Sequence, residues 1–181
     1  MRAILRAIIF VLIATPTAAQ LKLQKDTLEW PTPRNVISVN PAGIAVDYLS
    51  ISFVRGLSEH HGLGAFGAFT YRPVGDELPR GIGGGLIYQY YPGGQALWRF
   101  RYTGQVSYVN AWLTGKRDET ALSGIGVGVT IGWQWFPLEG FAVGFSVGEQ
   151  YIAEFETIEH EALDQIFGWR PLLSFDLGYA W

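Results

Sequence analysis

The 181-residue chain contains no cysteine. Disulfides, thiolate metal sites, cysteine nucleophiles and acylation of an N-terminal lipoprotein cysteine are therefore excluded. Charge is also scarce. Asp, Glu, Lys and Arg make up 16% of the residues, where an ordinary soluble domain carries about 25%. Lys and Arg form no basic patch, which argues against nucleic acid as a partner. Long apolar runs are missing as well. Downstream of the N-terminus, Gly, Ser, Gln or Arg interrupts every one, so no segment reads as a transmembrane helix.

What is abundant is apolar or small: 49% hydrophobic residues, 15% aromatic, and 23 glycines that recur inside apolar stretches. The length suits one domain with a sizeable core. The first residues carry an address. Arg2 and Arg6 form a basic region, "AIIFVLIA" (Ala7 to Ala14) is apolar but too short to span a bilayer, and "TPTAAQ" supplies small residues at Thr17 and Ala19. This pattern predicts a secretory signal peptide over residues 1–19, cleaved after Ala19. Its removal takes the formal charge from −3 to −5. Residues 20–34 are polar, hold two prolines, and read as a periplasmic leader to a domain spanning 35–181.

Within that domain, period-two segments alternate with turn signals. They run from Asn35 to Pro41 and on into Ile44, Asp47 to Leu57, Leu63 to Pro73, Gly81 to Pro92, Ala96 to Leu113, Ala121 to Phe136, Phe141 to Ile152, and Gly168 to Trp181. These predict eight strands. Most have the length of a tilted strand crossing hydrocarbon, about 9–11 residues. The faces are well sorted. In the sixth strand Ile125, Val127, Val129, Ile131, Trp133 and Trp135 share one face, and glycines with Thr130 and Gln134 share the other.

Parity alone does not say which face points inward. Volume does: the interior of an eight-stranded barrel is only just wide enough for side chains to fill it, so the rings must go outside. Composition agrees, because a face meeting water would be rich in Lys and Glu, and here it is Gly, Ser, Ala and Thr. The expected fold is all-β: an eight-stranded antiparallel up-and-down transmembrane barrel, closed by pairing of the last strand with the first. Trp98, Trp112, Trp133, Trp135, Tyr90, Tyr179 and Trp181 are expected in interfacial girdles. The turns "SEHHG", "GGQ" and "PLEG" are short, as periplasmic turns are. The last outer loop, 153–167, is acidic. Phe155, Ile158, Ala162 and Ile166 there have roughly helical spacing, which predicts a short amphipathic helix.

The chain ends on Leu173, Phe175, Leu177, Tyr179 and Trp181, alternating apolar residues with a terminal aromatic. This resembles the C-terminal signature of bacterial outer-membrane proteins, which the barrel assembly machinery reads. The alternating strands resemble small barrels of the OmpA/OmpX type. "NVISVNPAGIAVDYLSISFVRGLS" is similar to the opening of a family of small outer-membrane barrels of unknown function in Bacteroidetes-like bacteria. The resemblance covers about residues 35 to 181. It implies outer-membrane location, with lipid and lipopolysaccharide as surroundings, insertion by the barrel assembly machinery and a monomeric state, and it transfers no catalytic residue.

Arg72, Arg99, Arg101, Arg170, Asp176 and Glu149 are read as inward-facing. Unpaired charge in a narrow lumen is costly, so these side chains are expected to pair across it. The alternatives are a gated pathway or a ligand contact. His60 and His61 read as solvated turn residues. For Glu159, His160 and Glu161, a divalent-cation site near lipopolysaccharide phosphates is the alternative to a plain acidic loop. Some outer-membrane barrels are lipid-A deacylases or acyltransferases, but a serine hydrolase needs a base beside its serine, and no histidine falls on an expected strand. "GIGGG" (Gly81 to Gly85) lacks the lysine and the strand-to-helix context of a phosphate loop. The sequence thus predicts a non-enzymatic barrel with a filled, polar interior and no cofactor. A lipid-modifying enzyme and a narrow channel or ligand-binding barrel are the alternatives.

Overall fold

The computed structural model describes residues 32–46, 48–71, 78–114, 120–155 and 167–181. The signal-peptide segment, Arg72 and the amphipathic stretch from Ile158 to Ile166 lie outside the described residues. The described residues form one closed antiparallel barrel in which each strand pairs with its neighbours in sequence, and the last pairs with the first. The strands are β1 (Asn35–Asn40), β2 (Tyr48–Gly56), β3 (His61–Tyr71), β4 (Leu78–Tyr90), β5 (Arg99–Thr114), β6 (Thr120–Leu138), β7 (Phe141–Glu154) and β8 (Gly168–Ala180).

Closure begins at the termini. The Asn35 and Arg34 amides both donate to the Trp181 carbonyl at 2.9 Å, and the Trp181 amide returns a bond to Asn35 at 3.0 Å. Val36–Val39 then run in register with Ala180–Leu177. The start of β1, the C-terminal Trp181, and the β2–β3, β4–β5 and β6–β7 connections therefore share one end of the barrel. The tightest of these connections places Gly140 at φ 75°, a left-handed conformation that glycine adopts at no steric cost.

The volume argument holds residue by residue. Ile125, Val127, Val129 and Trp133 are 45–54% exposed on the outside, while Gly124, Gly126, Gly128 and Gly132 are buried inside. Glycine is needed because the wall is so tightly coiled. A Cβ on Gly85 would collide with the Val106 carbonyl, and one on Gly148 with the Val129 carbonyl.

Beyond shifts of a few residues at other strand ends, the structure departs from the expected pattern in these places. First, β1 stops at Asn40, and Pro41–Val46 coil as a 3-10 turn instead of carrying the strand into Ile44. The Asn40 side chain holds that turn by accepting from the Gly43 amide at 3.1 Å. Second, Ala96, Leu97 and Trp98 do not belong to β5. They fold across the barrel mouth, where Ala96 and Leu97 are buried beside Gly56. Third, an extra residue in β6 shifts the register between Trp135 and Leu138, and Phe136 is buried.

These glycines give a direct test of sidedness. Gly148→Ala is expected to cut refolding yield sharply. Gly104→Ala, whose Cβ would meet nothing within 4 Å, is expected to refold like the wild type. Refolding into detergent, followed by the mobility difference between unheated and heated gel samples, measures both.

Candidate functional site: the filled barrel interior

The interior is layered along the barrel axis. At the end holding the termini, Val36, Val54, Tyr91, Leu97, Phe136 and Ala142 form an apolar stopper. Much of it comes from the β4–β5 connection, which is backbone-strained: Leu97 and Arg99 have φ of 66° and 69°. Non-glycine residues adopt that region at a cost of order 1–3 kcal/mol each. Full burial of the Leu97 side chain holds the connection in place. His60 helps, its carbonyl accepting from the Tyr91 amide at 2.8 Å and its Nδ1 lying 2.9 Å from the Tyr91 carbonyl. His61 opens β3 and puts its Nδ1 2.7 Å from the Tyr88 hydroxyl. The two histidines are thus hydrogen-bonded at this end, with His61 exposed and His60 half-buried.

Above the stopper lies a polar layer built around Arg101, which is 6% exposed. Its Nη2 donates to Asp176 Oδ2 at 3.2 Å, and its Nη1 donates to Gln134 Oε1. Asp176 Oδ2 also accepts from the Ser174 hydroxyl at 3.0 Å, and Ser174 is 2.7 Å from the Ser146 hydroxyl. Ser38 and Ser52 hydroxyls pair at 2.9 Å on the facing wall. The Tyr91 phenol donates to Gln89 Oε1. Burial pushes that phenol above its ordinary pKa, against the pull of the Arg101 guanidinium, so Tyr91 stays a neutral donor. Farther up, Gln105 donates to Gln150 at 3.2 Å. Beyond that, Ala111, Leu122, Ile152 and Phe167 close a second apolar cluster.

The expected lumen charges fall out unevenly. Arg101 and Asp176 form an ion pair, with β5 and β8 supplying one member each. Arg170 faces inward opposite Gln150 and lines a small void with Tyr48. Arg99 sits at the rim with its guanidinium carbon 4.5 Å from the Trp98 ring centre. Glu149 is a correction. The register of β7 is continuous on β8, so the period of two puts Glu149 with Val147 and Tyr151 on the outer face, opposite Val129 and Pro171. Sequence reading missed Gln89, Gln134, Ser146 and Ser174 as members of the network. Their signal was present: each is a polar residue on the glycine parity, flanked by aromatic or bulky neighbours.

Chemically, the layer is a structural polar network with a void of about 90 Å³ above Arg101. Among the described residues, no group of three His, Asp or Glu side chains converges as a metal site. Glu159, His160 and Glu161 lie outside the described residues. The chain matches no family model, and no curated protein is significantly similar to it.

Removing one partner of the Arg101–Asp176 pair is expected to be costly, because it strands a buried charge; such changes typically cost about 3–5 kcal/mol. Arg101→Glu should lower the urea midpoint of the refolded barrel the most, since it places two carboxylates together. The Arg101→Met, Asp176→Leu double variant should recover much of the loss. Trp fluorescence across a urea series reads all three.

Proposed function

We propose that this chain is an integral outer-membrane β-barrel with a filled, polar interior, acting in the envelope as a structural or surface-interaction protein. One observation carries the reading. The outer wall is an apolar belt: Ile51, Leu86, Val106, Val127, Phe145 and Leu173, from six different strands, are each 46–64% exposed. Soluble monomers rarely show contiguous apolar patches beyond a few hundred Å². Moving ten such half-exposed side chains into hydrocarbon is worth about 7–15 kcal/mol, as much as the net stability of an ordinary domain, about 5–15 kcal/mol.

The belt has the right finish for a bilayer. Toward the termini it ends in Tyr88, Tyr90, Trp133, Trp135, Tyr179 and Trp181, and toward the other end in Tyr108, Tyr151 and Trp169. Aromatic residues at both limits suit two interfaces. The span between them on β6, Ile125 to Trp135, has the length of a crossing strand, about 9–11 residues. In this reading the signal peptide takes the chain through the inner membrane. The termini and short connections face the periplasm, and phospholipid and lipopolysaccharide surround the wall. Leu173, Phe175, Tyr179 and Trp181 are exposed on that wall and Leu177 is partly so, accessible to the barrel assembly machinery during insertion. A sheet closed within one chain leaves no strand edge for a partner, which favours a monomer.

Expression in a Gram-negative host with the signal peptide intact tests the proposal. The mature protein should sediment with the outer membrane and run faster on gels when unheated than when boiled. Recovery in the soluble periplasmic fraction, with identical mobility in both samples, would rule the reading out.

A further inference from the structure

The apolar belt does not end the same way on every strand. At the end holding Trp181 it finishes in rings on β4, β6 and β8. On β2 the outward positions run Leu49, Ile51 and Phe53, and the next is Arg55, which is exposed. The register sets Arg55 between Asn35 of β1 and Leu63 of β3, both on the outer face. Among the described strand residues, Arg55 is the one Arg, Lys, Asp or Glu at an outward position of this end. The other two outward charges, Arg80 and Glu149, lie toward the opposite end.

A second arginine stands beside it. Arg34 is exposed, and its carbonyl accepts from the Gly56 amide at 2.8 Å. Since Asn35 is opposite Arg55, the two arginines hold diagonal positions at the foot of the β1–β2 pair. Among the described residues neither has a carboxylate partner, Glu59 on the adjoining turn included. The Trp181 carbonyl is taken by the Arg34 and Asn35 amides and by the Asn35 side chain. Next to the pair the belt is aromatic: the Phe53 and Trp181 ring centres are 6.1 Å apart, and Tyr179 stacks on Trp181 at 5.9 Å.

A cation on a lipid-facing wall is costly at the bilayer midplane and costs little at the interface. There its natural counter-ion is a lipid phosphate. The planar guanidinium fork matches phosphate oxygens with two parallel hydrogen bonds, and the apolar stem of the side chain packs along the wall while the head stays at the boundary. We infer that Arg55 and Arg34 together bind the phosphate diester of one phospholipid in the leaflet nearer Trp181, its acyl chains lying along Phe53, Ile51 and Ile37. Ile37 pairs with Phe53 across β1 and β2, and all three are exposed. A free phosphate would leave this apolar half of the site unused. The inference deepens the reading of the outer belt as lipid-facing and rests on it.

Native mass spectrometry of the refolded, detergent-solubilised barrel tests it, with dioleoylphosphatidylglycerol, dioleoylglycerol and inorganic phosphate as probes. The phosphatidylglycerol should give a saturable one-to-one adduct. Dioleoylglycerol, which has the chains without the phosphate, should bind about tenfold more weakly, the loss expected for hydrogen bonds to a charged group. Arg55→Gln and Arg34→Gln should each weaken the phosphatidylglycerol adduct by a similar factor, and Arg80→Gln, at the other end of the wall, should leave it unchanged. Arg34→Gln carries the comparison if Arg55→Gln loses heat-modifiable mobility. The inference is overturned by a missing or non-saturating adduct, by equal binding of dioleoylglycerol, by wild-type binding in the Arg34 and Arg55 variants, or by an equal loss in Arg80→Gln. An inorganic phosphate adduct as strong as the lipid's would assign the pair to a free anion and overturn it too. If the barrel inserts into vesicles yet shows one of these results, the phosphate site fails alone. If it does not insert, the lipid-facing reading fails and takes the site with it.

Discussion

In the membrane reading proposed above, a main-chain amide in hydrocarbon has no hydrogen-bond partner except another part of the protein, and that constraint accounts for the closed sheet. It requires each strand to be paired on both sides, so the sheet must close. With eight strands, closure leaves an interior too narrow for rings. The bulky residues go outside, the glycines and small hydroxyls go inside, and the few charges inside must meet one another. The Arg101–Asp176 pair, the serine hydroxyls around it and the glycine-lined wall all follow from the same geometric demand.

The constraint is met unevenly, and the departures carry the molecule's individuality. At the end holding the termini, pairing continues to the last residue, and a strained connection is packed into the mouth. At the upper β1–β8 junction, a turn and the amide of Asn40 take the place of a strand. Such a patch satisfies individual main-chain groups without restoring a continuous ladder.

Much of this was legible in the alternation of residue types. All eight strands, their order and the direction each face takes follow from period two together with the volume of a narrow barrel. The Arg101–Asp176 pair was legible because both residues sit on the glycine parity of well-sorted strands. Glu149 was within reach too, since it shares the odd positions of Val147 and Tyr151. Other features depend on long-range register. The end of β1 at Asn40 is set by contacts with Leu173 and Phe175, more than 130 positions away. Ala96 and Leu97 look like the start of a strand, and only the space at the mouth turns them inward. The extra residue near Trp135 likewise has no local signature.

The outward orientation of the rings is the claim on which all else stands, and lipid-borne quenchers test it most directly. The refolded protein would be placed in vesicles of phosphatidylcholine brominated at successive acyl positions, with Trp133→Phe as the reference. The orientation described here predicts that the Trp133 share of the emission is strongly quenched, most by bromines near the headgroup. Emission from Trp133 unaffected by bromine at any depth would place that ring inside the barrel and contradict the account.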